Sequence, residues 1–384
     1  MPRKVRLWLA DLLPSGLVQR ALVVTALLLP VYTIAAYALA ITSYPDPVDY
    51  AFFGPSGADI LTGQWSRVYE NGVVQAGPLE LLVFGVAYAI GLQGFVGWLV
   101  YYTVFMALLT FGVVFAFLLA IGDGGRTRLF YAGLGIGAAA CLGWFIPLSL
   151  LAGHPSQIVI PVSWVVAGFL AKRAQFVAVG VVIGLAVGWE LWGILGIPVV
   201  LLAAKPNLVK AATGGLVTLL VLFLPFVLTG VFNMFEFSWP IGKNTLVHLL
   251  WPSLTEFPWV LRLAQSVLVL AIGSATAILS RRSMHGLWLV PLTIVAARLV
   301  TDPTLYGYYW IAALILMIGF TAALIVRSQW VMAGAALIVT VGLWAYTTKG
   351  LVAAAVLLLV LLACTAWIAV AQRRSGSLIL REAL

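Results

Sequence analysis

Apolar runs recur from residue 21 to residue 371, separated by short polar or basic joints. A helix needs about 20 apolar residues to cross about 30 Å of hydrocarbon. The pattern predicts helical segments over 21–42, 78–92, 95–121, 129–151, 155–171, 175–190, 192–204, 211–232, 259–280, 286–300, 308–326, 329–346 and 350–371. The runs are unbroken rather than alternating, which selects helices over a barrel. Segment 192–204 is too short to cross upright. With 175–190 it reads as a broken or re-entrant pair around Trp189-Glu190-Leu191-Trp192.

Basic residues fall in clusters between the runs: Arg3-Lys4-Arg6, Lys172-Arg173, Lys205 with Lys210, Arg281-Arg282, Arg327 and Arg373-Arg374. Short basic joints mark the cytoplasmic side. Segments 43–77, 152–155, 233–258, 301–307 and 346–349 are then expected outside. Asp123 beside Arg126 and Arg128 makes that joint a weak indicator. Termini on one side require an even number of crossings, so the segments reduce to about twelve. The split at Gly91-Leu92-Gln93-Gly94 and the short 192–204 are the places to lose one. The expected fold is all-α: a polytopic membrane protein, one domain over 1–384, with long outer loops at 43–77 and 233–258.

Composition agrees. The chain is 63% apolar and 9% charged, with a mean hydropathy of +1.11; a soluble domain is nearer half apolar and a quarter charged. The net charge of +9 is spread through short joints, without the basic tail or domain that would hold a nucleic-acid backbone. Asp11, Pro14 and Arg20 precede the first run, and no convincing cleavage site follows it, so it reads as a retained span. Cys141 and Cys364 lie in apolar segments and spell neither a disulfide framework nor a metal site.

The acids are the informative residues. The chain has twelve, five of them between Asp46 and Glu80. Asp46, Asp49, Asp59, Glu70, Glu80, Glu236, Glu256 and Asp302 all lie in or beside outer segments. Loop acids are usually hydrated and idle; clustering in so uncharged a chain shifts the balance toward function. Pro45 and Pro47 stiffen the exit of the first span. Ala58-Asp59-Ile60-Leu61 with Trp65 and Val68 suggests a short interfacial helix over Asp49. A carboxylate at that boundary can deprotonate a sugar hydroxyl.

Val48-Asp49-Tyr50, Gly57-Ala58, Leu61-Thr62-Gly63 and Val68-Tyr69 together resemble the first outer loop of the integral-membrane mannosyltransferases that use polyprenyl-phosphate-mannose. These belong to the GT-C class, and the loop resembles that of the actinobacterial phosphatidylinositol-mannoside mannosyltransferases among them. Where that family enters its second span through Tyr-Pro-Pro, this chain has Gln75-Ala-Gly-Pro78-Leu-Glu80. Gly153-His154-Pro155, the stretch from Leu185 to Ala203, and Arg298 to Pro303 followed by Tyr308-Tyr309-Trp310 are similar to further segments of the wider group. The resemblance implies Asp49 as general base. It implies a second long loop over the lipid-phosphate donor, with Lys243 and His248 near the phosphate. Asp46, Asp59, Gln75, Glu80, His154, Tyr308 and Tyr309 are the candidate substrate-binding residues.

Arg298 lies inside an apolar run. A phosphate suits its fork of donors, with snorkelling or pairing to Asp302 as the plain alternatives. Glu190, deep in a span, either pairs with a base, lines a polar cavity or reaches the outer surface, and is given no catalytic role. His154, His248 and His285 are too scattered to suggest zinc, and no Asp-x-Asp motif is evident. Neither metal nor cofactor is expected.

The expected activity is inverting transfer of a sugar, mannose first, from a polyprenyl-phosphate donor to a glycolipid, glycan or peptide hydroxyl at the outer face of the plasma membrane. Donor lipid, acceptor and membrane lipids are the expected partners, and nucleic acid is not. A secondary transporter or flippase, a non-enzymatic scaffold, and a related enzyme using polyprenyl-phosphate-arabinose are the rivals.

Overall fold

The computed structural model describes residues 15–42, 49–89, 91, 94–122, 125–346 and 350–382. Asp46, the first basic cluster and most of the 346–349 joint lie outside them. Apolar runs become helices because no water at that depth satisfies a bare backbone. In chain order these are α1 (Ser15–Leu27), α2 (Leu29–Thr42), α3 (Tyr50–Leu61), α4 (Pro78–Ala89), α5 (Gly94–Ile121), α6 (Arg126–Leu142), α7 (Phe145–Leu151), α8 (Ser156–Lys172) and α9 (Phe176–Trp189). A 3₁₀ helix, Leu191–Leu202, follows. Then come α10 (Leu208–Thr229), α11 (Leu246–Leu250), α12 (Trp259–Ser280), α13 (Gly286–Thr301), α14 (Trp310–Val326), α15 (Trp330–Tyr346) and α16 (Leu351–Glu382).

The fold is that of a helical membrane protein. Among the described residues, five helices are long and apolar enough to cross, or up to seven if two bent pairs each count as one span. Six shorter apolar helices accompany them. The first predicted span starts earlier than its apolar run, so Arg20 lies inside α1. It is also broken: α1 and α2 meet at 52°, just before Pro30, whose ring cannot continue a straight helix. Segment 129–151 is bent by 44° between α6 and α7, where Trp144 takes a left-handed conformation, φ 67°. The expected interfacial helix at 58–68 is displaced. The chain turns helical directly after Asp49 and ends at Leu61. Leu61 and Trp65 are exposed as expected, but Val68 is buried, because the adjoining Tyr69 ring packs on Phe226 and Phe232. The second long loop carries an unexpected two-residue antiparallel ladder, Trp239–Pro240 with Glu256–Phe257, and the short α11, capped by the Thr245 hydroxyl.

Burial divides the helices. α8, α13 and α14 are buried on nearly every face. α10 and α12 instead present Leu216, Val217, Leu220, Val221, Val260, Leu263 and Val267 at their surfaces. An apolar residue gains nothing by facing water, so such faces suit lipid.

The joints sort to two ends. Lys172 donates to the Arg281 and Ser283 carbonyls, Arg327 to Ile121, and Arg128 to Val326 and Ser328. Two joints predicted on the inner side, 172–173 and 281–282, therefore meet, and the joint at 327 meets the unassigned one between Ile121 and Arg128. The predicted outer joints also meet: Gln75 donates to Met234, Asn233 to Glu70, and Gly242 to Pro303. Near that second end, α3 and α4 touch backbone to backbone. A Cβ on Gly57 would lie 2.0 Å from the Leu81 carbonyl oxygen. This contact packs α3 onto α4 about two turns beyond Asp49.

Candidate active site

Asp49 stands at the N-terminus of α3, where its carbonyl accepts from the Phe52 and Phe53 amides. Helix N-termini favour a carboxylate. The side chain does not cap the helix; it turns to His154, with Oδ2 2.6 Å from Nε2. His154 occupies the turn between α7 and α8. Gly153 takes φ +76° there, and a Cβ on it would already touch the Asp49 amide at 3.4 Å. A side chain at 153 would be strained and would crowd Asp49.

The other imidazole nitrogen, Nδ1, lies 3.1 Å from Glu190 Oε1. Glu190 is the extended residue between α9 and the 3₁₀ helix. An isolated bridge to Ala76 and the Gly77 amide bond to Trp189 (2.7 Å) hold it there. The Trp192 indole donates to its second oxygen. Two of the sequence alternatives for Glu190 hold together: it pairs with His154 and it lines a cavity. His154 is buried, which opposes its charge, but the hydrogen bonds to Asp49 and Glu190 prevail and raise its pKa to about 10. The Tyr308 ring stacks on the imidazole at 4.6 Å.

These groups line a cavity of about 860 Å³. Its other polar feature is a two-arginine arrangement. Arg298 Nε lies 3.3 Å from Asp302 Oδ2, and Arg262 Nη1 3.2 Å from Oδ1. Asp302 is fully buried. One carboxylate between two guanidiniums leaves one formal positive charge. The Arg298 guanidinium lies over the rings of Trp192 (4.1 Å) and Tyr309 (4.9 Å), and Arg262 over Trp239 (4.4 Å). Tyr306, Phe235 and Trp259 extend the aromatic lining.

Of the residues singled out from sequence, Asp49, Gln75, His154, Arg298, Tyr308 and Tyr309 line this cavity. Gln75 spends its amide on the Gly72 and Met234 carbonyls, tying the two loops together. Glu80 is set back from the lining and fully buried beside His154. Asp59 lies further along α3 and is half-buried, Lys243 is exposed, and His248 sits on α11; none of the three lines the cavity. Arg262 escaped the sequence reading, although it carries the same signal as Arg298, a guanidinium inside an apolar run. Its pairing with Asp302 across 40 residues had no sequence signal. The spacing also gave no hint that Glu80, His154 and Glu190 each offer a ligand atom within 4.8 Å of the others. No family model, characterised protein or solved structure matches the chain.

Proposed function

We propose that the protein is a GT-C-class inverting glycosyltransferase of the plasma membrane, with about twelve crossings and its cavity open to the outer face. Its donor is a polyprenyl-phosphate sugar, mannose first and arabinose as the near alternative. The acceptor is a hydroxyl on a glycolipid, glycan or peptide. One observation carries the reading: Asp49, a partly exposed carboxylate, shares an apolar, aromatic-walled cavity with the Arg298–Asp302–Arg262 cluster.

In this reading Asp49 accepts the acceptor's hydroxyl proton through the oxygen not turned to His154. The acceptor oxygen bonds to the anomeric carbon as the bond from that carbon to the phosphate oxygen breaks. The departing phosphate gains charge near Arg298 and Arg262. Donors fixed before the reaction stabilise such charge without reorganising. A guanidinium matches phosphate in bidentate fashion. The aromatic walls suit the C–H faces of a sugar ring and the isoprenoid beyond it.

Incubating purified protein with radiolabelled polyprenyl-phosphate-mannose, or the arabinose analogue, and a membrane lipid extract tests this. Transfer of label to an extract component is expected. Intact donor after prolonged incubation with either sugar argues against it. The buried Glu190–His154 pair also favours a second reading, a proton-coupled carrier. Ligand-dependent acidification of proteoliposomes would select that one.

A further inference from the structure

Behind the cavity, one imidazole is surrounded by three carboxyl groups. Asp49 bonds to Nε2, Glu190 to Nδ1, and Glu80 lies within 4.8 Å of both His154 and Glu190. Glu80 is completely buried. Its Oε1 accepts only a long bond, 3.4 Å, from the Ser156 amide, and its Oε2 has no hydrogen-bond partner. Gln157, also fully buried, repeats the pattern. Its amide nitrogen faces Glu190 Oε2 at 3.5 Å while its carbonyl oxygen Oε1 is unpartnered. Buried acceptors without donors are rare and costly, and buried carboxylates are ordinarily paired or bound to a metal. The Ser156 hydroxyl beside Glu80 is likewise buried and without a partner. Glu80 Oε2 and Gln157 Oε1 each offer an unused lone pair, and a cation is what takes both.

We infer that Glu80, His154 and Glu190 form a binding site for a divalent first-row metal ion, of the zinc or manganese kind. One imidazole and two carboxylates suit these ions. Ligands of such an ion stand about 2.0–2.2 Å from it, so the three side chains close inward on binding. Nδ1 takes the metal in place of its proton. Nε2–H keeps its bond to Asp49, which becomes the outer carboxylate of a carboxylate–histidine–metal chain. The ion fixes the imidazole tautomer and so positions Asp49. Glu80 and Glu190 are metal ligands, and His154 is the link between the two sites. None of this requires the reaction proposed above, because metal content is read without sugar donor or acceptor.

The test uses full-length protein in detergent, stripped with chelator, loaded with Zn²⁺ or Mn²⁺, desalted and measured by elemental mass spectrometry. About one ion per chain is expected. Retention falls about 10-fold or more in Glu80→Gln and in His154→Gln, and stays at the wild-type level in Asp59→Asn. Wild-type protein loaded with Co²⁺ gives visible d–d absorption that Zn²⁺ abolishes, a readout independent of how well any variant folds. Wild-type protein that retains no ion, Co²⁺ without that absorption, or Glu80→Gln that retains as much metal as wild type overturns the inference. Loss of metal binding with sugar transfer intact, or the reverse, separates this site from the proposed reaction.

Discussion

The Arg298 guanidinium lies 4.1 Å over the Trp192 ring, which joins the end of α13 to the 3₁₀ helix that follows Glu190. The Trp192 and Tyr309 rings and Asp302 hold the guanidinium at the cavity wall. A lysine there would keep the charge and lose both the plane and the fork. Arg298→Lys is expected to raise the donor KM about 10-fold or more, the effect of one charge-assisted hydrogen bond to phosphate. Arg298→Ala is expected to raise it more than Asp49→Asn does. An unchanged donor KM in both arginine variants returns Arg298 to a structural role.

Arg262 should matter where Lys243 does not. Arg262 shares Asp302 and lines the cavity; Lys243 is exposed and outside it. Arg262→Ala is expected to weaken donor binding, and Lys243→Ala to leave it within twofold or so. Titration of a fluorescent polyprenyl-phosphate analogue against both variants measures this. The opposite ranking would return the phosphate to the second outer loop.

Asp49→Asn keeps the shape of the side chain and removes the carboxylate proposed as the base. Loss of general-base assistance costs about 10²- to 10⁴-fold in rate. Transfer is expected to fall by that amount while donor binding and melting temperature stay near wild type. Full turnover by this variant removes Asp49 from the reaction.

His154→Ala has a different expected signature. It deprives Glu190 and Asp49 of their shared partner at once. Breaking a buried charged pair costs about 3–5 kcal/mol. The melting temperature should fall, and Glu190→Gln in the same chain should recover part of the loss by removing the stranded charge. A double variant no more stable than His154→Ala would show that the pair does little for the fold.

The contact of Gly57 with α4 can be tested by adding one methyl group. Gly57→Ala drives a Cβ into the Leu81 carbonyl at 2.0 Å, and overpacking of this kind costs about 1–3 kcal/mol. Gly112→Ala, in open space within α5, should be neutral or mildly stabilising because alanine favours helix. Similar melting temperatures for the two would mean that α3 and α4 part easily.

Much of the fold was legible along the chain because burial in lipid is a one-dimensional constraint. A run either is or is not apolar enough to cross, and basic joints mark one side. The grouping of joints at two ends follows the charge pattern. The bends after Leu27 and near Trp144 were not legible, since composition stays apolar through both. Nor was the start of α3, where Asp49 begins a helix that had been placed several residues later.

For the site, the residues by themselves singled out Asp49 and Arg298, because charged groups in so apolar a chain are conspicuous; His154 and the tyrosine pair came from the resemblance. Tertiary structure alone decided which of them meet. Glu80, Glu190 and His154 are far apart in sequence: Glu80 is in the first turn of α4, and the other two sit at separate helix joints. Arg262 reaches Asp302 from another helix. Such groupings depend on how helices cross, and crossing is set by packing details such as the glycine contact at Gly57. Periodicity records only which face of a helix is apolar, and says nothing of which other helix that face will meet.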